Sequence, residues 1–419
     1  MKYSNLPFTA LFTFLIGAFF YSSATAQSSK IDSSEMVTIR IDPGAARGAR
    51  VSEVFEEVNF IPLETTKESL FGSINQLEIT ENCYIVFDYD TKSVLIFSKE
   101  GKFKAKINRS QLKNESEKEN QGFWGFSLKQ ENKQDFIRIA SGKYTNYFDL
   151  DGKLIKKVSE DDEENLKFTD HTEIRNHYLL KNNKDSLYYQ IGLRKDSIDI
   201  AQYFPYDPAR YENDLFLSGG SGPALYDSDR ENEKFYINYY DYNIYKLTSK
   251  KMFLAYRVFF PAIHSLPKDF STNPIYKNKR QEYFKKNPKA IYAISNTYKI
   301  GDQLLVKMHD MDPGKEKKDA IIYNLKTAAL TSLDDLEPDS SSSFLPVTDL
   351  GFHYDFANRG FLKFNKKYFY TSYSSLAMFT FKEQSVDKKP KYSALMSSYF
   401  KTENKKSNPV IIQLKLKQN

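Results

Sequence analysis

Short runs of alternating apolar and polar residues recur along most of the chain, with turn residues between them. Two stretches align with each other, Ile96–Phe103 and Tyr147–Leu154. Each holds an aromatic-rich run, an acidic residue followed by Gly, and the start of a second run, and the two glycines, Gly101 and Gly152, lie 51 residues apart. An acid–Gly pair between alternating runs predicts a β-hairpin. Repetition at such a period is typical of repeat architectures.

The same order of strands can be followed through six successive blocks. The predicted strands, block by block, are Ile74–Ile79, Tyr84–Asp88, Val94–Phe97 and Phe103–Ile107; Trp124–Leu128, Phe136–Ala140, Tyr144–Phe148 and Leu154–Val158; Phe168–Ile174, Tyr178–Lys181, Leu187–Gly192 and Ile198–Phe204; Leu215–Ser218, Phe235–Tyr239, Asn243–Leu247 and Phe253–Phe259; Ile291–Asn296, Leu304–Met308, Ala320–Leu325 and Leu330–Leu333; and, incompletely, Phe344–Leu350 and Phe361–Tyr373. Six four-stranded blocks predict an all-β fold, a single six-bladed β-propeller. A pair of β-sandwiches is the alternative, but no linker divides the chain.

The incomplete sixth block needs strands from elsewhere in the chain. Val410–Leu416 alternates well enough to be its third strand, and Val54–Leu63 is then its outer fourth strand. Pro62 suits an edge strand, where a missing N–H donor costs nothing. The ring is therefore expected to be closed by its N- and C-terminal strands. Short helical insertions are predicted at Asn273–Asn287 and Tyr392–Thr402, where apolar residues recur at helical spacing.

The first 26 residues have the features of a secretory signal peptide. An apolar stretch from Leu6 to Tyr21 is followed by Ala24 and Ala26, small residues that fit a cleavage site after Ala26. A membrane anchor is the alternative, but the stretch is shorter than the roughly 20 residues that span a bilayer. The single cysteine, Cys83, lies too far downstream to carry a lipid anchor. We expect a periplasmic or secreted protein without membrane insertion after cleavage, made of an N-terminal extension (27–50) and the propeller (51–419).

The amino-acid composition agrees with the predicted all-β fold. Tyr and Phe number 30 and 33, and aromatic side chains fit pleated, half-buried strands. The formal net charge is only +6 and acidic residues are interleaved throughout, so no nucleic-acid partner is expected. One cysteine allows no intramolecular disulfide. Cys83 lies in an apolar run and is predicted to be a buried small hydrophobic residue.

Several separated motifs occur in an order that resembles one protein family. They are Phe60–Thr66, Tyr84–Asp88, Tyr240–Leu247, Leu266-Pro267 and Asn408–Lys417. Together they resemble the six-bladed β-propeller proteins exported by Bacteroidetes, over essentially the whole chain from Val51. The resemblance implies a glycan-utilisation context and no particular reaction. One departure is the charged loop Lys113–Gly122, which stands where such proteins often have a Gly-Pro-Gly-Glu-Tyr-like turn.

No local motif for catalysis or metal binding is present. None of the five histidines has a short-range zinc spacing, and no Gly-x-Ser-x-Gly nucleophile motif occurs. His309–Gly314 superficially resembles a calcium loop, but its twelfth position, counted from Asp310, is Ile321 instead of Glu. We therefore expect a hairpin there and a flexible loop at Gly219–Pro223. No cofactor is expected, with a divalent cation such as calcium in the channel as the alternative.

Candidate ligand-binding residues follow from position, since the loops that enter the innermost strands of a propeller and the turns between second and third strands line the mouths of the channel. They are Trp124, His171, Tyr239, Asp241, His309, Asp355 and Arg359. Aromatic rings of this kind stack on sugars, although the pattern favours Trp124 and Tyr239 as core aromatics between blades. We expect a monomeric, non-catalytic binding or interaction protein for a glycan or peptide. The alternative is a propeller hydrolase, lactonase or lyase with a metal in the channel, which three or more converging Glu, Asp, Asn or His side chains would favour.

Overall fold

Six sheets of short strands form the blades of a β-propeller in the computed structural model. The structure describes residues 28–112, 123–159, 166–176, 188–206, 224–314, 317–349, 355 and 360–418. Nearly all consecutive strands within a blade pair antiparallel, so each sheet runs up and down from the channel to the outside. The six-bladed, four-stranded architecture predicted from the repeat is confirmed.

The chain first runs along the outside of the ring. Its N-terminal elements are β1 (Val37–Arg40), β2 (Arg47–Arg50), the single-turn helix α1 (Val51–Val54) and β3 (Phe55–Pro62). The blade strands follow in chain order: β4 (Gln76–Ile79), β5 (Cys83–Asp88), β6 (Ser93–Ser98) and β7 (Phe103–Asn108) in blade one; β8 (Ser127–Glu131), β9 (Gln134–Ser141), β10 (Tyr144–Phe148) and β11 (Leu154–Ser159) in blade two; β12 (Leu166–Lys167), β13 (Glu173–Asn176), β14 (Tyr188–Lys195) and β15 (Ile198–Tyr206) in blade three.

Blades four to six complete the ring. Their strands are β16 (Ala224–Asp227), β17 (Glu233–Ile237), β18 (Asn243–Thr248) and β19 (Met252–Phe259) in blade four; β20 (Ala293–Ile300), β21 (Gln303–His309), β22 (Ala320–Asn324) and β23 (Leu330–Glu337) in blade five; β24 (Lys363–Phe364), β25 (Phe369–Tyr373) and β26 (Val410–Leu416) in blade six, with β3 as its outer strand.

Blade six is closed by the two ends of the chain, as predicted. β26 pairs antiparallel with both β25 and β3. Asn408, fully buried just before β26, accepts a hydrogen bond from the Phe71 N–H at 3.0 Å and donates to the carbonyls of Glu64 and Ser69 at 2.8 and 2.9 Å. One side chain thus fastens the C-terminal strand to the loop that follows β3.

The N-terminal segment adds a fifth strand to two blades. β1 pairs parallel with the outer strand β19 of blade four, and β2 pairs parallel with β23 of blade five. Upstream, the Ser29 N–H donates to the Gln202 carbonyl on the outer strand of blade three at 2.8 Å. The segment 28–50 therefore runs across three blades and covers otherwise exposed strand edges.

Three of the predicted strands need correction. Phe168–Ile174 is not one strand, because a turn with left-handed His171 (φ 64°) separates β12 from β13. Phe344–Leu350 holds no strand in its described part, 344–349, and Phe361–Tyr373 folds back on itself as β24 and β25. The predicted strands Tyr178–Lys181 and Leu215–Ser218 lie outside the described residues.

Two helices and one short helix are inserted between strands. α2 (Arg280–Lys286) lies within the predicted helical segment Asn273–Asn287, where a 3-10 turn, Pro274–Tyr276, precedes it. α3 (Ser375–Gln384) and α4 (Ala394–Thr402) both lie between β25 and β26, and only α4 was predicted. No helix among the described residues is long and apolar enough to cross a membrane.

Adjacent blades pack through alternate side chains of their strands. Between blades one and two the buried cluster includes Cys83, Ile85, Phe87, Ile137 and Ile139. Cys83 is fully buried, as its apolar run predicted. Because consecutive strands run antiparallel, the turns between second and third strands lie at the same end of the ring as the connections between blades. We call this end the upper face, and the opposite end the lower face.

Candidate functional site

The predicted ligand-binding residues do not all lie on one face. Tyr239 and Asp241 lie in the turn between the second and third strands of blade four, and His309 ends β21, so all three belong to the upper face. Trp124 and Asp355 lie in connections between blades on the same face. His171 lies in the turn between β12 and β13, on the lower face, where the neighbouring Thr169 N–H donates to Asn232 of the corresponding turn in blade four at 2.7 Å. Arg359 lies outside the described residues.

Trp124 forms an exposed aromatic surface with two residues of blade one. Its side chain is 74% exposed, which excludes the interpretation of Trp124 as a core aromatic. Its ring centroid lies 5.5 Å from that of Tyr89, and Lys92 Nζ lies over the Tyr89 ring and 4.4 Å from the Trp124 centroid. Tyr89 and Lys92 come from the turn between β5 and β6. We call Tyr89, Lys92 and Trp124 the aromatic platform.

Asp241 is half-buried and its carboxylate holds its own turn together. Its Oδ1 accepts from the Asn243 N–H and Nδ2 at 3.1 and 2.6 Å, and its Oδ2 accepts from the Tyr245 hydroxyl at 2.7 Å. Burial raises the pKa of Asp241, and these hydrogen bonds oppose that shift. The carboxylate positions its neighbours and has its acceptor capacity largely occupied.

His309 contacts a serine on the innermost strand of its own blade. Ser295 Oγ lies 2.6 Å from His309 Nε2. The register of β20 against β21 shifts between Ser295 and Tyr298, and Asn296 adopts a left-handed φ of 43°. Such bulges re-aim side chains beside functional sites, and here the bulge accompanies the contact of Ser295 with His309.

The protonation state of His309 is set by its surroundings. Burial, together with the smaller effects of Lys307 and Lys317, lowers the pKa of His309 to about 4. The imidazole is therefore neutral at neutral pH. It can accept a proton only at a free-energy cost, because an imidazolium there would be buried beside two ammonium groups.

The aromatic residues around His309 belong to two blades. The His309 ring centroid lies 6.1 Å from that of Tyr292, and the hydroxyl of Tyr226 hydrogen-bonds to the Asn296 backbone and the Ser295 side chain. Burial, and secondarily Tyr239, raises the pKa of both Tyr226 and Tyr292. Tyr239 is thus close to this group, which combines aromatic rings with one serine and one neutral histidine.

Asp355 makes hydrogen bonds within the protein and is not presented to a ligand. It is nearly buried, its N–H donates to Asp349 Oδ2 at 2.8 Å, and its Oδ2 accepts from the Ser374 N–H at 2.5 Å. Ser374 is the N-cap of α3, where its Oγ accepts from the Ala377 N–H at 3.2 Å. Asp355 therefore ties the connection into blade six to the start of that helix.

A buried lysine and several carboxylates lie next to this group in blade five. Burial lowers the pKa of Lys307, while Asp319, Asp334 and Asp349 oppose that shift. Burial also raises the pKa of Asp319 to about 6. In the described part of the chain, no three His, Cys, Asp or Glu side chains are arranged so that they could hold a metal ion.

The sequence of the chain matches a family model described as 6-bladed beta-propeller (DUF5128) over residues 26–332, which is most of its length. The chain belongs to this family. A crystal structure of a "putative exported protein" from Bacteroides fragilis is similar to it, with 14% identity, a TM-score of 0.59, and coverage of 91% of this chain and 99% of that one. At this identity the similarity shows the fold alone.

Other solved structures are more distantly similar. A DUF4221 family member from Bacteroides vulgatus has 10% identity and a TM-score of 0.39, over 87% of this chain and 97% of that one. A virginiamycin B lyase from Staphylococcus aureus has 10% identity and a TM-score of 0.29, over 86% and 100%. No curated protein matches the chain.

For this six-bladed propeller, sequence reasoning missed Tyr89, Lys92 and Ser295. Tyr89 and Lys92 occupy the same kind of turn as Tyr239 and Asp241, so the positional argument applied to blade one would have found them. Ser295 lies in a predicted innermost strand, but nothing in the sequence indicates its contact with His309, because that contact depends on the bulge in β20.

Proposed function

We propose that this propeller is an exported binding protein that takes a carbohydrate ligand on the aromatic platform. The observation that carries the proposal is the exposure of Trp124, the single tryptophan of the chain, on the face where the blade connections lie. Indole and phenol rings offer flat apolar surfaces to the C–H faces of sugar rings. Large exposed aromatics of this kind are expected at interaction sites.

Contacts below Trp124 support a binding role. The Tyr89 ring and the Lys92 side chain pack on the indole and restrict its rotamers before any ligand arrives. Binding to a side chain that is already ordered costs less conformational entropy than ordering a mobile one. The platform is therefore suited to stacking, whereas Asp241 and Asp355, occupied by their own turns, are less suited to direct contact with a ligand.

Export and cleavage after Ala26 are part of the same proposal. They rest on the apolar stretch and Ala24-x-Ala26, and the name of the Bacteroides fragilis structure accords with them. The mature protein is proposed to be a periplasmic or secreted monomer that binds its ligand without a metal. A peptide ligand is the other outcome that a binding screen has to distinguish.

The contact between Ser295 and His309 favours a second candidate, hydrolysis of an ester or lactone. In that reaction the Ser295 hydroxyl would attack a carbonyl carbon while His309 Nε2 takes its proton. The low pKa of His309 weakens this candidate, because a base with a pKa of about 4 accepts the serine proton poorly at neutral pH. We therefore rank binding above hydrolysis.

The proposal is tested with the mature chain, residues 27–419, on arrays of glycans and of peptides. We expect a glycan to bind, and Trp124→Ala to weaken binding by about 10- to 100-fold, the usual loss for a central aromatic anchor. Ile198→Ala, which removes an apolar side chain 67% exposed on the outer strand of blade three, serves as the matched control and should change nothing. Binding of peptides alone, or glycan binding unaffected by Trp124→Ala, contradicts the proposal.

Hydrolysis is examined with the same preparation. The protein is tested for turnover of aryl esters and lactones. If turnover is lost in Ser295→Ala and retained in Trp124→Ala, hydrolysis is favoured over binding as the function.

A further inference from the structure

A separate pocket of about 490 Å³ lies on the upper side of blade four. Its volume is in the range of small-ligand sites. Its walls combine aromatic and apolar side chains with two cationic groups: Tyr240, Phe259, Phe260, Pro267, Arg257 and Lys268. Phe259 is half exposed, so the apolar wall remains accessible from outside. The aromatic platform belongs to blade one and the connection into blade two, so the two sites are built from different elements.

Arg257 is an exposed residue that hydrogen-bonds to the turn beside it. Its Nε donates to Asn243 Oδ1 at 3.3 Å, and the other end of the Asn243 amide donates to Asp241 at 2.6 Å. Asp241 is in turn fixed by the Tyr245 hydroxyl. Among the described residues, the contact with Asn243 engages Nε and leaves both Nη atoms of the guanidinium available, and two such N–H groups can receive a carboxylate in a bidentate pair.

The carboxylate that lines the pocket, Asp241, lies near Arg257, whose charge acts to lower the pKa of that carboxyl. Among the residues that the structure describes, no carboxylate lies within ion-pair distance of Arg257 or Lys268, and the single acidic group lining the pocket, Asp241, is occupied by its own turn. The pocket thus presents excess positive charge beside aromatic walls. It also holds Ser265, whose hydroxyl donates to the Phe260 carbonyl at 3.0 Å and keeps lone pairs available to accept a hydrogen bond.

We propose that this pocket binds an acidic sugar residue through its carboxylate. A uronate has the three properties that the pocket requires at once: a carboxylate for Arg257 and Lys268, hydroxyl groups for Ser265, and an apolar ring face for the aromatic wall. A simple inorganic anion would leave the aromatic wall unused. A purely apolar ligand would leave the guanidinium edge buried without a partner, which costs free energy.

The test measures binding of trigalacturonate to the mature protein by calorimetry. Wild type is expected to bind it, Arg257→Gln to bind at least 10-fold more weakly, and Arg257→Lys to bind with intermediate affinity, since lysine keeps the charge but loses the bidentate geometry. Arg230→Gln makes the same change of charge in the lower turn of the same blade and should leave the affinity unchanged. Melting temperatures of all variants check that each is folded.

Further ligands and one variant test the recognition of the carboxylate by Arg257. Methyl-esterified trigalacturonate should lose at least 10-fold in affinity, because the ester removes the charge that Arg257 recognises. Trp124→Ala should bind trigalacturonate as wild type does, so failure of the platform and failure of this pocket are distinguishable. The assignment is overturned if wild type does not bind trigalacturonate at millimolar concentration, if Arg257→Gln or the ester binds equally well, or if a sulfated sugar or a peptide carboxylate binds more tightly.

Discussion

Gly101 lies where the turn between β6 and β7 meets the outer strand of blade six. Its φ of 78° is in the left-handed region, and a Cβ at this position would lie 2.1 Å from the Pro62 carbonyl oxygen. The Glu64 N–H donates to the Gly101 carbonyl at 2.8 Å. The equivalent turn of blade two holds Gly152, with a φ of 75°, but there the nearest atom to a Cβ would be the Ala105 Cβ at 3.0 Å.

This difference predicts unequal effects of the same substitution. Gly152→Ala is expected to lower the free energy of unfolding by about 1–2 kcal/mol, the cost of a left-handed residue. Gly101→Ala is expected to cost about 3 kcal/mol or more, because backbone of blade six must also move away. Chemical denaturation of both variants measures the two values. Equal losses would show that the contact with Pro62 is not the constraint that keeps glycine at position 101.

His309 gives the molecule a predictable pH dependence. Its folded pKa of about 4 lies below the ordinary value of 6.5, so the unfolded chain binds the proton more tightly and stability falls as the pH drops from about 6.5 to 4. Asp319, with a pKa raised to about 6, acts in the opposite direction, because its folded carboxyl takes up a proton before the unfolded one does.

Comparison with the His309→Gln variant separates the contribution of His309 to the pH dependence of stability from that of Asp319. Between pH 7 and 4, wild type should lose on the order of 1–3 kcal/mol of stability relative to His309→Gln, since Asp319 is present in both proteins and cancels. Denaturation at the two pH values measures this difference. A constant difference between the two proteins would mean that His309 titrates normally in the folded state.

For single residues, the sequence predicted the position in the ring better than the exposure or burial of the side chain. Trp124, Tyr239 and His309 were chosen by position and lie on the upper face, but nothing in the sequence tells that Trp124 is exposed while Asp355 is buried against α3. His171 was assigned to the same set because its turn was read as part of a strand. These outcomes depend on contacts between blades, which alternation along one strand does not encode.

Among the elements, β26 closes the ring of blades. Val410, Ile411, Ile412 and Leu414 are fully buried, and the strand is hydrogen-bonded on both sides. Without it, β3 and β25 would each lose a neighbour and Asn408 would no longer be held in place. In a closed ring, loss of one interior strand also removes the packing of the adjacent blades.

Deleting residues 409–419 is therefore expected to prevent cooperative folding. The expected result in circular dichroism melting is loss of the cooperative transition, with exposure of apolar surface. Removing only Gln418 and Asn419, which lie beyond β26, is the control and should leave the melting temperature unchanged. A truncated protein with the wild-type transition would contradict closure by the C-terminal strand.

Most strands were predictable because, within each blade, the alternation of apolar and polar residues and the position of the turn residues indicate the same strands. The closing pair β3 and β26 could also be predicted, since the incomplete sixth block required partners. α3 was not predicted, because the Ser374 cap that starts the helix carries little weight in a serine-rich stretch. The parallel strands β1 and β2 are short and polar, and only their contact with blades four and five makes them strands.

For the whole molecule, the ring carries two proposed ligand sites of different chemistry. The aromatic platform offers stacking without an available charge, because Lys92 packs beneath the rings. The pocket of blade four offers an exposed guanidinium, hydrogen-bonded through Nε, beside aromatic walls. The rigid ring fixes both sites, so binding should require little rearrangement of the backbone.

Because the chain has a single tryptophan, fluorescence can measure glycan binding at the aromatic platform directly. Trp124 is the only indole in the chain and lies at the proposed site, so its fluorescence reports on the platform without any label. The mature protein is titrated with the glycan that binds it on the array, and the emission spectrum is followed. Stacking on a sugar is expected to shift the emission to shorter wavelength, with saturation at the concentration that calorimetry gives for binding. If the glycan binds without changing the Trp124 emission, and still binds to Trp124→Ala, the proposed binding on the aromatic platform is contradicted.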